Sequence, residues 1–286
     1  MNSASAQQDS VQTIPDRTPV VGVFDSGFGG LTVLRSLLSR IPSARYLYLG
    51  DTARLPYGAK SQATIARYAV ESARFLEQRG CDYLVIACNT ATALALDDIR
   101  RAVHVPVLGV IEPGAHAARH AVANPAGEVL VLATAATVQS HAYHAACKAI
   151  GLRAVEVACP LLVPLVEEGW TDHDVTREIL RIYLSEALTQ CNPQAVLLGC
   201  THYPLIAGEI EKTLLALGST AVVIDSAEAT AEAAAAALAI VTPPNAPPAA
   251  ANFECYATDS VEKFQRLGSL FLRQPIAHVH HLDLGG

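Results

Sequence analysis

The chain has 286 residues, of which 51% are hydrophobic and 16% charged, and its formal net charge is −7 at pH 7. This length is sufficient for one large domain or two smaller ones with a substantial core. The acidic balance disfavours a nucleic-acid-binding protein, and no uncharged apolar run reaches the length of a membrane span. The seven cysteines include no CxxC pair, which indicates a reduced, cytoplasmic protein without a disulfide framework.

Short apolar segments alternate with amphipathic or alanine-rich segments after a polar start. Residues 1–18 lack the apolar core of a secretory signal, so we expect a mobile N-terminal arm. The alternation predicts strands and helices in an α/β fold with mostly parallel sheets. The predicted strands cover residues 20–24, 45–50, 82–87, 105–110, 128–134, 153–158, 195–199 and 220–225.

The eight predicted strands form two sets with similar spacing. They end at Asp25, Asp51, Cys88 and Glu112 in the first set, and at Thr134, Cys159, Cys200 and Asp225 in the second. Successive ends are 26, 37 and 24 residues apart in the first set and 25, 41 and 25 in the second. Such spacing is common in α/β chains, but a cysteine at the third position of both sets favours a duplicated unit.

The segment after residue 225 exceeds what the second unit needs. It contains a helix-forming stretch, a proline-rich surface loop (242–251), a strand candidate (252–259) and a helix candidate (261–272). We expect this tail to return to the first unit. The predicted organisation is therefore a first α/β domain made of residues 19–112 and 226–286, and a second made of residues 113–225.

Two loops after the first strands carry polar candidates. Asp25 and Ser26 precede a glycine-rich turn whose backbone N–H groups suit a carboxylate or phosphate, although the turn matches neither a GxGxxG motif nor a P-loop. Pro56, Tyr57 and Gly58 follow the second strand. We expect them to form a rigid wall of the site that carries a hydroxyl and free N–H groups. A purely structural turn is the alternative for both loops.

The strongest signals are ACNTATA (87–93) and GCTHYPL (199–205). Each places a cysteine at the carboxyl end of an apolar strand, directly before polar residues, where α/β sheets build their sites. A lone cysteine in an apolar run is usually an inert core residue. Because a helix N-terminus lowers the pKa of a thiol toward neutrality, we instead expect Cys88 and Cys200 to be reactive.

Further candidates lie in the second unit. Thr134 and Thr137 occupy another strand-to-helix turn, where they are either helix caps or ligands of a carboxylate. His202 is a candidate proton donor, and a carboxylate at Glu167 or Glu168 is a candidate partner for it, with a solvated helix face as the alternative. The HVHH run near the C-terminus is far from the cysteines in sequence, and we predict no metal site.

Six motifs together resemble those of bacterial glutamate racemases. They are FDSGFGG, GDTARLPYG, ACNTATA, ATAATV, CPLLVPLVEEG and GCTHYPL, in this order within residues 20–240. Ala136 departs from the pattern, since the family usually has glycine there. The resemblance implies two pseudo-symmetric α/β domains with the active site in the cleft between them, and a cytoplasmic enzyme without a cofactor that interconverts L- and D-glutamate for peptidoglycan synthesis.

The resemblance also implies roles for individual residues. Cys88 would remove the α-proton of D-glutamate and Cys200 that of L-glutamate, while Asp25 and His202 assist the thiols and Glu167 lies behind His202. The implied substrate-binding residues are Asp25, Ser26, Pro56, Tyr57, Gly58, Asn89, Thr90, Thr134, Thr137, Thr201 and His202. A homodimer is expected, in an arrangement that the sequence does not select. The N-terminal extension resembles that of enzymes activated by UDP-N-acetylmuramoyl-alanine.

Three alternatives stay open at this point. The first is a racemase of aspartate or another amino acid from the same superfamily. The second is a metal-dependent hydrolase with Cys88, Cys200 and His202 as zinc ligands, although the close ligand pairs typical of such sites are missing. The third is a two-lobed amino-acid-binding protein without catalytic activity.

Overall fold

The computed structural model describes residues 18–124, 127–240 and 252–284. The strands are β1 (Val20–Asp25), β2 (Arg45–Gly50), β3 (Tyr83–Ile86), β4 (Val107–Gly109), β5 (Glu128–Ala133), β6 (Arg153–Ala158), β7 (Ala195–Gly199), β8 (Val222–Asp225), β9 (Phe253–Ala257) and β10 (Val279–His281). All eight strands predicted before residue 225 are present, and their ends differ from the predicted ones by at most two residues.

Helices connect successive strands. They are α1 (Leu31–Arg40), α2 (Gln62–Gln78), α3 (Asn89–Ala102), α4 (Ile111–Ala121), α5 (Ala135–Ser140), α6 (Ala142–Ala149), α7 (Leu162–Glu167), α8 (Asp174–Gln190), α9 (Ala207–Ala216), α10 (Ser226–Ala237) and α11 (Val261–Leu272). None of the helices in the described ranges combines the length and the apolar character that crossing a membrane requires.

The strands form two parallel sheets with the same internal order. The first sheet runs β10-β9-β2-β1-β3-β4 and the second β6-β5-β7-β8, so each unit places its strands in the order second, first, third, fourth. Every strand pair is parallel. The predicted α/β fold is confirmed, and the shared strand order supports the predicted duplication.

This strand order brings the first and third loops of each unit together. The chain leaves β1 toward β2 on one side and reaches β3 on the other, so the carboxyl ends of β1 and β3 are neighbours, with Phe24 opposite Ile86. In the second sheet Ala133 lies opposite Gly199. Open α/β sheets bind ligands at such switch points. The residues that follow these four positions are Asp25, Ala87–Cys88, Thr134 and Cys200.

Apolar side chains on both faces of the central strands explain the parallel arrangement. All residues of β1, β3 and β7 are buried, as expected for strands that helices cover on both sides. Helix α11, predicted over residues 261–272, has these bounds in the structure, and its Phe264, Leu267 and Phe271 are buried in the core.

The C-terminal tail joins the first sheet. Strand β9 pairs with β2, with Leu49 opposite Tyr256, and β10 pairs with β9. Helix α10 contacts both α1 and α4 and so lies against both units. We therefore keep the domain boundaries at residues 112 and 226 as a proposal. Apart from Thr18, the arm predicted over residues 1–18 lies outside the described residues, as does the loop predicted over 242–251.

The two units approach each other closely at Gly29. A Cβ atom at this position would lie 2.6 Å from Nδ1 of His202 and still closer to Oγ1 of Thr201. Both neighbours belong to the loop after β7 of the second unit, so the absence of a side chain at Gly29 permits the contact. The backbone at Gly29 lies outside the left-handed region, so space and not conformation requires glycine here.

We expect Gly29→Ala to destabilise the protein by about 1–3 kcal/mol, the usual cost of overpacking. The matched control is Gly208→Ala in α9, where no atom lies within 4 Å of the new methyl group. That control should be neutral or stabilising by up to about 1 kcal/mol, because alanine favours helix. Urea unfolding of both variants checks this. Equal stability of the two variants would contradict the close approach.

Candidate active site

A cavity of about 410 Å³ lies between the carboxyl ends of the two sheets. It takes side chains from both units and is of the size typical for small-molecule sites. The sequence-predicted residues that line it are Ser26, Pro56, Tyr57, Gly58, Cys88, Asn89, Thr90, Thr134, Glu167, Cys200, Thr201 and His202. The other two predicted residues, Asp25 and Thr137, lie behind this lining.

Cys88 caps the N-terminus of α3. Its Sγ accepts a hydrogen bond from the backbone N–H of Ala91 and donates one to Oγ of Ser26, both at 3.4 Å. The side chain lines the cavity, yet only 5% of the residue surface is exposed. The thiol is therefore held in one orientation at the cavity wall.

The predicted fall in the pKa of the thiol is wrong for Cys88. Burial raises its pKa to about 12, the negative charge of Asp25 adds to the increase, and the hydrogen bonds from Ser26 and Ala91 offset only part of it. The helix N-terminus was expected to dominate, but desolvation of a buried thiolate is the larger effect here. The thiol of Cys88 is therefore neutral at pH 7.

The glycine-rich turn holds a carboxylate that belongs to the chain itself. Oδ2 of Asp25 accepts the backbone N–H of Gly27 at 2.8 Å, and N–H groups of Ser26 and Gly30 also stabilise its charge. Asp25 is fully buried, and burial raises its pKa despite these donors and the positive charge of His202. The N–H groups that sequence analysis offered to a ligand therefore fix Asp25 behind Cys88.

The second thiol has a different neighbour. Sγ of Cys200 lies 3.9 Å from Nδ1 of His202, and Nε2 of the same ring lies 3.1 Å from Oε1 of Glu167. Glu167 is the last residue of α7, so α7 and the loop after β7 together build a Cys200–His202–Glu167 chain. Helix α9 does not begin directly after Cys200, because a 3₁₀ turn over Tyr203–Ile206 intervenes.

The side chains of Cys200 and Glu167 stabilise a protonated imidazole at His202. Burial alone would lower the pKa of His202, but the hydrogen bonds with Cys200 and Glu167 and their negative charges outweigh it and raise the pKa to about 10. Burial raises the pKa of Glu167, but the hydrogen bond from His202 and the positive charge of His202 outweigh burial, so the pKa is lowered overall. We therefore assign His202 as an imidazolium that donates Nε2–H to Glu167 and Nδ1–H toward Cys200.

Hydroxyl and amide groups join the two units across the cavity. Oγ1 of Thr90 lies 3.0 Å from Oγ1 of Thr134 and 3.2 Å from Oγ1 of Thr137, and the last two are 3.0 Å apart. Nδ2 of Asn89 donates to Oη of Tyr143 at 2.7 Å. Thr134 also caps α5 by accepting the N–H of Thr137, so the predicted cap and the predicted site residue are one and the same.

The wall predicted from Pro56, Tyr57 and Gly58 is present, but its hydroxyl is occupied. Oη of Tyr57 donates to Oδ2 of Asp51 at 2.5 Å, while the ring packs near Phe24 and Tyr68. Gly58 faces Thr134 of the other unit, where an added Cβ would lie 3.2 Å from the Cβ of Thr134. This loop therefore helps to set the width of the cavity.

Sequence reasoning missed Lys263, the only lysine or arginine among the described residues that line the cavity. It lies in the first turn of α11, and its positive charge contributes to the lowered pKa of Glu167. The sequence predicted that the tail returns to the first unit, and in the structure β9 is parallel to β2, so the loop after β9 reaches the same edge of the sheet as Asp51. The predicted strand and helix at 252–272 place residue 263 beside the site.

The zinc alternative needs three ligands around one ion. Within residues 18–124, 127–240 and 252–284, no group of three or more His, Cys, Asp and Glu side chains has the spacing to hold a metal. The five cysteines outside the cavity (Cys81, Cys147, Cys159, Cys191 and Cys255) are all buried and free of disulfides.

Comparisons with known proteins identify the family of the chain. The model of the Asp/Glu/hydantoin racemase family matches residues 31–234. A glutamate racemase of Koribacter versatilis is 50% identical over 292 residues, covering 94% of this chain and 98% of that protein. The crystal structure of Francisella tularensis glutamate racemase in complex with D-glutamate has 34% identity and a TM-score of 0.82, covering 94% of this chain and 99% of that chain. Escherichia coli glutamate racemase, solved in complex with L-glutamate and activator UDP-MurNAc-ala, has 28% identity and a TM-score of 0.74, covering 94% and 100%. The chain therefore belongs to the glutamate racemases of the Asp/Glu/hydantoin racemase family.

Proposed function

We propose that this protein interconverts L- and D-glutamate by proton transfer between two cysteines, without a cofactor. The observation that carries the proposal is that Cys88 and Cys200, from equivalent positions of two similar units, line one cavity. Racemisation needs a base on one face of the α-carbon and an acid on the other. Two thiols supplied from opposite sheets meet that requirement, whereas a binding protein has no need of either.

In each direction one cysteine acts as thiolate and the other as thiol. From the matched motifs, Cys88 takes the α-proton of D-glutamate and Cys200 that of L-glutamate. The C–H electron pair passes to the α-carbon and its carboxylate, and the opposite thiol then returns a proton to the other face. Hydroxyl and amide groups at the cavity wall, such as those of Ser26, Asn89 and Thr90, stabilise the enediolate charge that develops meanwhile.

The two thiols receive different electrostatic assistance. Cys88 lies near the buried carboxylate of Asp25, which opposes its ionisation, while Cys200 lies next to the His202 imidazolium. The α-ammonium group of bound glutamate brings a positive charge next to the reacting carbon. We infer that this charge offsets part of the cost of forming the Cys88 thiolate in the complex.

Glutamate is the favoured substrate because the relatives over nearly the full length are glutamate racemases. We further propose that the enzyme supplies D-glutamate for peptidoglycan in the cytoplasm. A homodimer and activation by UDP-N-acetylmuramoyl-alanine are also proposals; the second is supported by the activator complex of the Escherichia coli relative. Deleting residues 2–18 and measuring rates with and without this precursor tests whether the N-terminal extension takes part.

We expect Cys88→Ala and Cys200→Ala each to lower the racemisation rate by about 10²–10⁴-fold in both directions, the usual contribution of a general acid or base. Circular dichroism measures glutamate racemisation, and unfolding curves check that the variants are folded. Cys147→Ala, which changes a buried cysteine outside the cavity, is the control and should keep racemisation. Full activity of either cavity variant would contradict the two-cysteine mechanism.

Deuterated water distinguishes two bases from one. Because the donor thiol exchanges with solvent, deuterium should enter the product enantiomer at the first turnover, while the remaining substrate keeps its α-proton. A single base would also place deuterium in the unreacted enantiomer.

Proton NMR of glutamate and aspartate, incubated separately with the enzyme, tests the substrate as well. Exchange of the α-proton of aspartate but not of glutamate would favour the aspartate alternative. Loss of activity on chelation would favour the metal alternative.

We expect Glu167→Gln to lower the pKa of His202 from its value of about 10. Burial lowers this pKa, and the negative charge of Glu167 that opposes burial is lost in the variant. NMR of the imidazole nitrogens measures this. The control, Glu168→Gln, removes an equal charge from an exposed neighbour at the cavity and should shift the pKa less.

The same pair links stability to pH. Since the folded pKa of His202 lies above the ordinary value of 6.5, its contribution to the unfolding free energy is complete below pH 6.5 and is lost as the pH rises through about 10. Glu167→Gln should reduce that loss between pH 7 and 10. An unchanged pH dependence would contradict the assigned imidazolium.

A further inference from the structure

Asp51 is a buried carboxylate beside the site that the proposed mechanism does not use. It follows β2 directly, has no exposed surface, and is absent from the residues that line the cavity. Sequence analysis identified it only as a strand end. A buried charge is costly unless it is paired and hydrogen-bonded, so its surroundings indicate what it does.

Both oxygens of Asp51 accept strong hydrogen bonds. Oδ2 accepts the hydroxyl of Tyr57 at 2.5 Å, Oδ1 accepts Oγ1–H of Thr258 at 2.9 Å, and the guanidinium of Arg54 lies 2.8 Å from Oδ2. Arg54 also donates to Glu71 of α2. The charge is thus balanced, and Asp51 joins residues 54 and 57 of the loop after β2 to the C-terminal tail.

The bond to Tyr57 fixes one wall of the cavity. Tyr57 is 1% exposed, and its hydroxyl points to Asp51 while part of the residue lines the cavity. Its neighbour Gly58 packs against Thr134 of the second unit. A loop held at Tyr57 is therefore also held at the point where it meets the other half of the site.

The bond to Thr258 extends this support to the C-terminal tail. Oγ1 of Thr258 accepts the N–H of Ala53 at 3.0 Å, and Oγ1 of Thr52 accepts the N–H of Asp259 at 3.0 Å. These contacts join residues 207 or 205 positions apart in sequence. The loop over residues 52–59 is thus anchored by the tail through side chains, in addition to the pairing of β9 with β2.

We propose that Asp51 is a positioning residue, whose buried carboxylate holds Tyr57 and the loop over residues 52–59 in the substrate-binding arrangement through its hydrogen bonds with Tyr57 and Thr258. The proposal rests on the proposed function, because the loop is assigned to substrate binding there. Asp51 contacts no substrate and transfers no proton to it. Its loss therefore weakens ground state and transition state binding alike, which raises KM and leaves kcat nearly unchanged.

Asp51→Asn is the first test, since the amide keeps the shape but removes the charge and one acceptor. We expect KM for glutamate to rise about tenfold with kcat within about threefold, as befits the loss of a hydrogen bond to a charged group. Tyr57→Phe and Thr258→Val remove the partners and should also raise KM. Because L- and D-glutamate have equal free energies, kcat/KM must fall equally in both directions, which checks the kinetics internally.

A double-mutant cycle separates positioning from general destabilisation. If Asp51 acts through Tyr57, Asp51→Asn should raise KM far less in a Tyr57→Phe background than in the wild type. The matched control is Glu254→Gln: this carboxylate of β9 accepts hydrogen bonds from Arg45 and Tyr256, away from the loop. It should leave KM unchanged although it also removes a charge from the tail.

Amide hydrogen exchange needs no substrate, so it tests the positioning role of Asp51 separately from the proposed function. Amide hydrogen exchange over residues 52–59 should be faster in Asp51→Asn and unchanged in Glu254→Gln. If the wild type does not racemise glutamate but exchange behaves as expected, the proposed function fails and the positioning role stands. Any one of three results overturns the proposal. They are unchanged KM and hydrogen exchange in folded Asp51→Asn, additive effects on KM in the double-mutant cycle, and a decrease confined to kcat. If Asp51→Asn does not fold, unchanged KM in both partner variants overturns it.

Discussion

The site depends on a contact between hydroxyl groups of two separate sheets. Thr90 belongs to the first unit, Thr134 and Thr137 belong to the second, and their three oxygens lie within 3.2 Å of one another. Parallel sheets expose loops at their carboxyl ends, and two such ends must face each other before one small molecule can contact both. The threonines and the side-chain-free Gly29 permit that approach, and they bring the loops of Cys88 and Cys200 to one cavity.

The pseudo-symmetry of the backbone does not extend to the charges. Cys88 lies beside a carboxylate and Cys200 beside an imidazolium that is itself paired with Glu167. Two equivalent strand ends therefore carry thiols whose neighbours have opposite charges. The proposed two-cysteine reaction needs one acid and one base at any moment, and it is compatible with such asymmetry because the substrate brings its own charges.

Local patterns were sufficient to predict the strands and the position of both thiols. Apolar runs mark buried parallel strands, and the residue after each run lies at the sheet edge whatever the rest of the chain does. The pKa of Cys88 was not predictable in this way, since desolvation depends on atoms from many segments. Asp51 and Tyr143 were missed for a related reason: each acts on the site or its support through partners that are distant in sequence.

The tail has a consequence for the order in which the protein matures. Synthesis proceeds from the N-terminus, so β1, β2 and the loop after β2 leave the ribosome long before Thr258 does. Until the tail arrives, β2 has an unpaired edge and Asp51 lacks one of its partners. The first unit thus completes its sheet only after the second unit has been made, and a nascent or truncated chain contains both cysteines without a finished cavity wall.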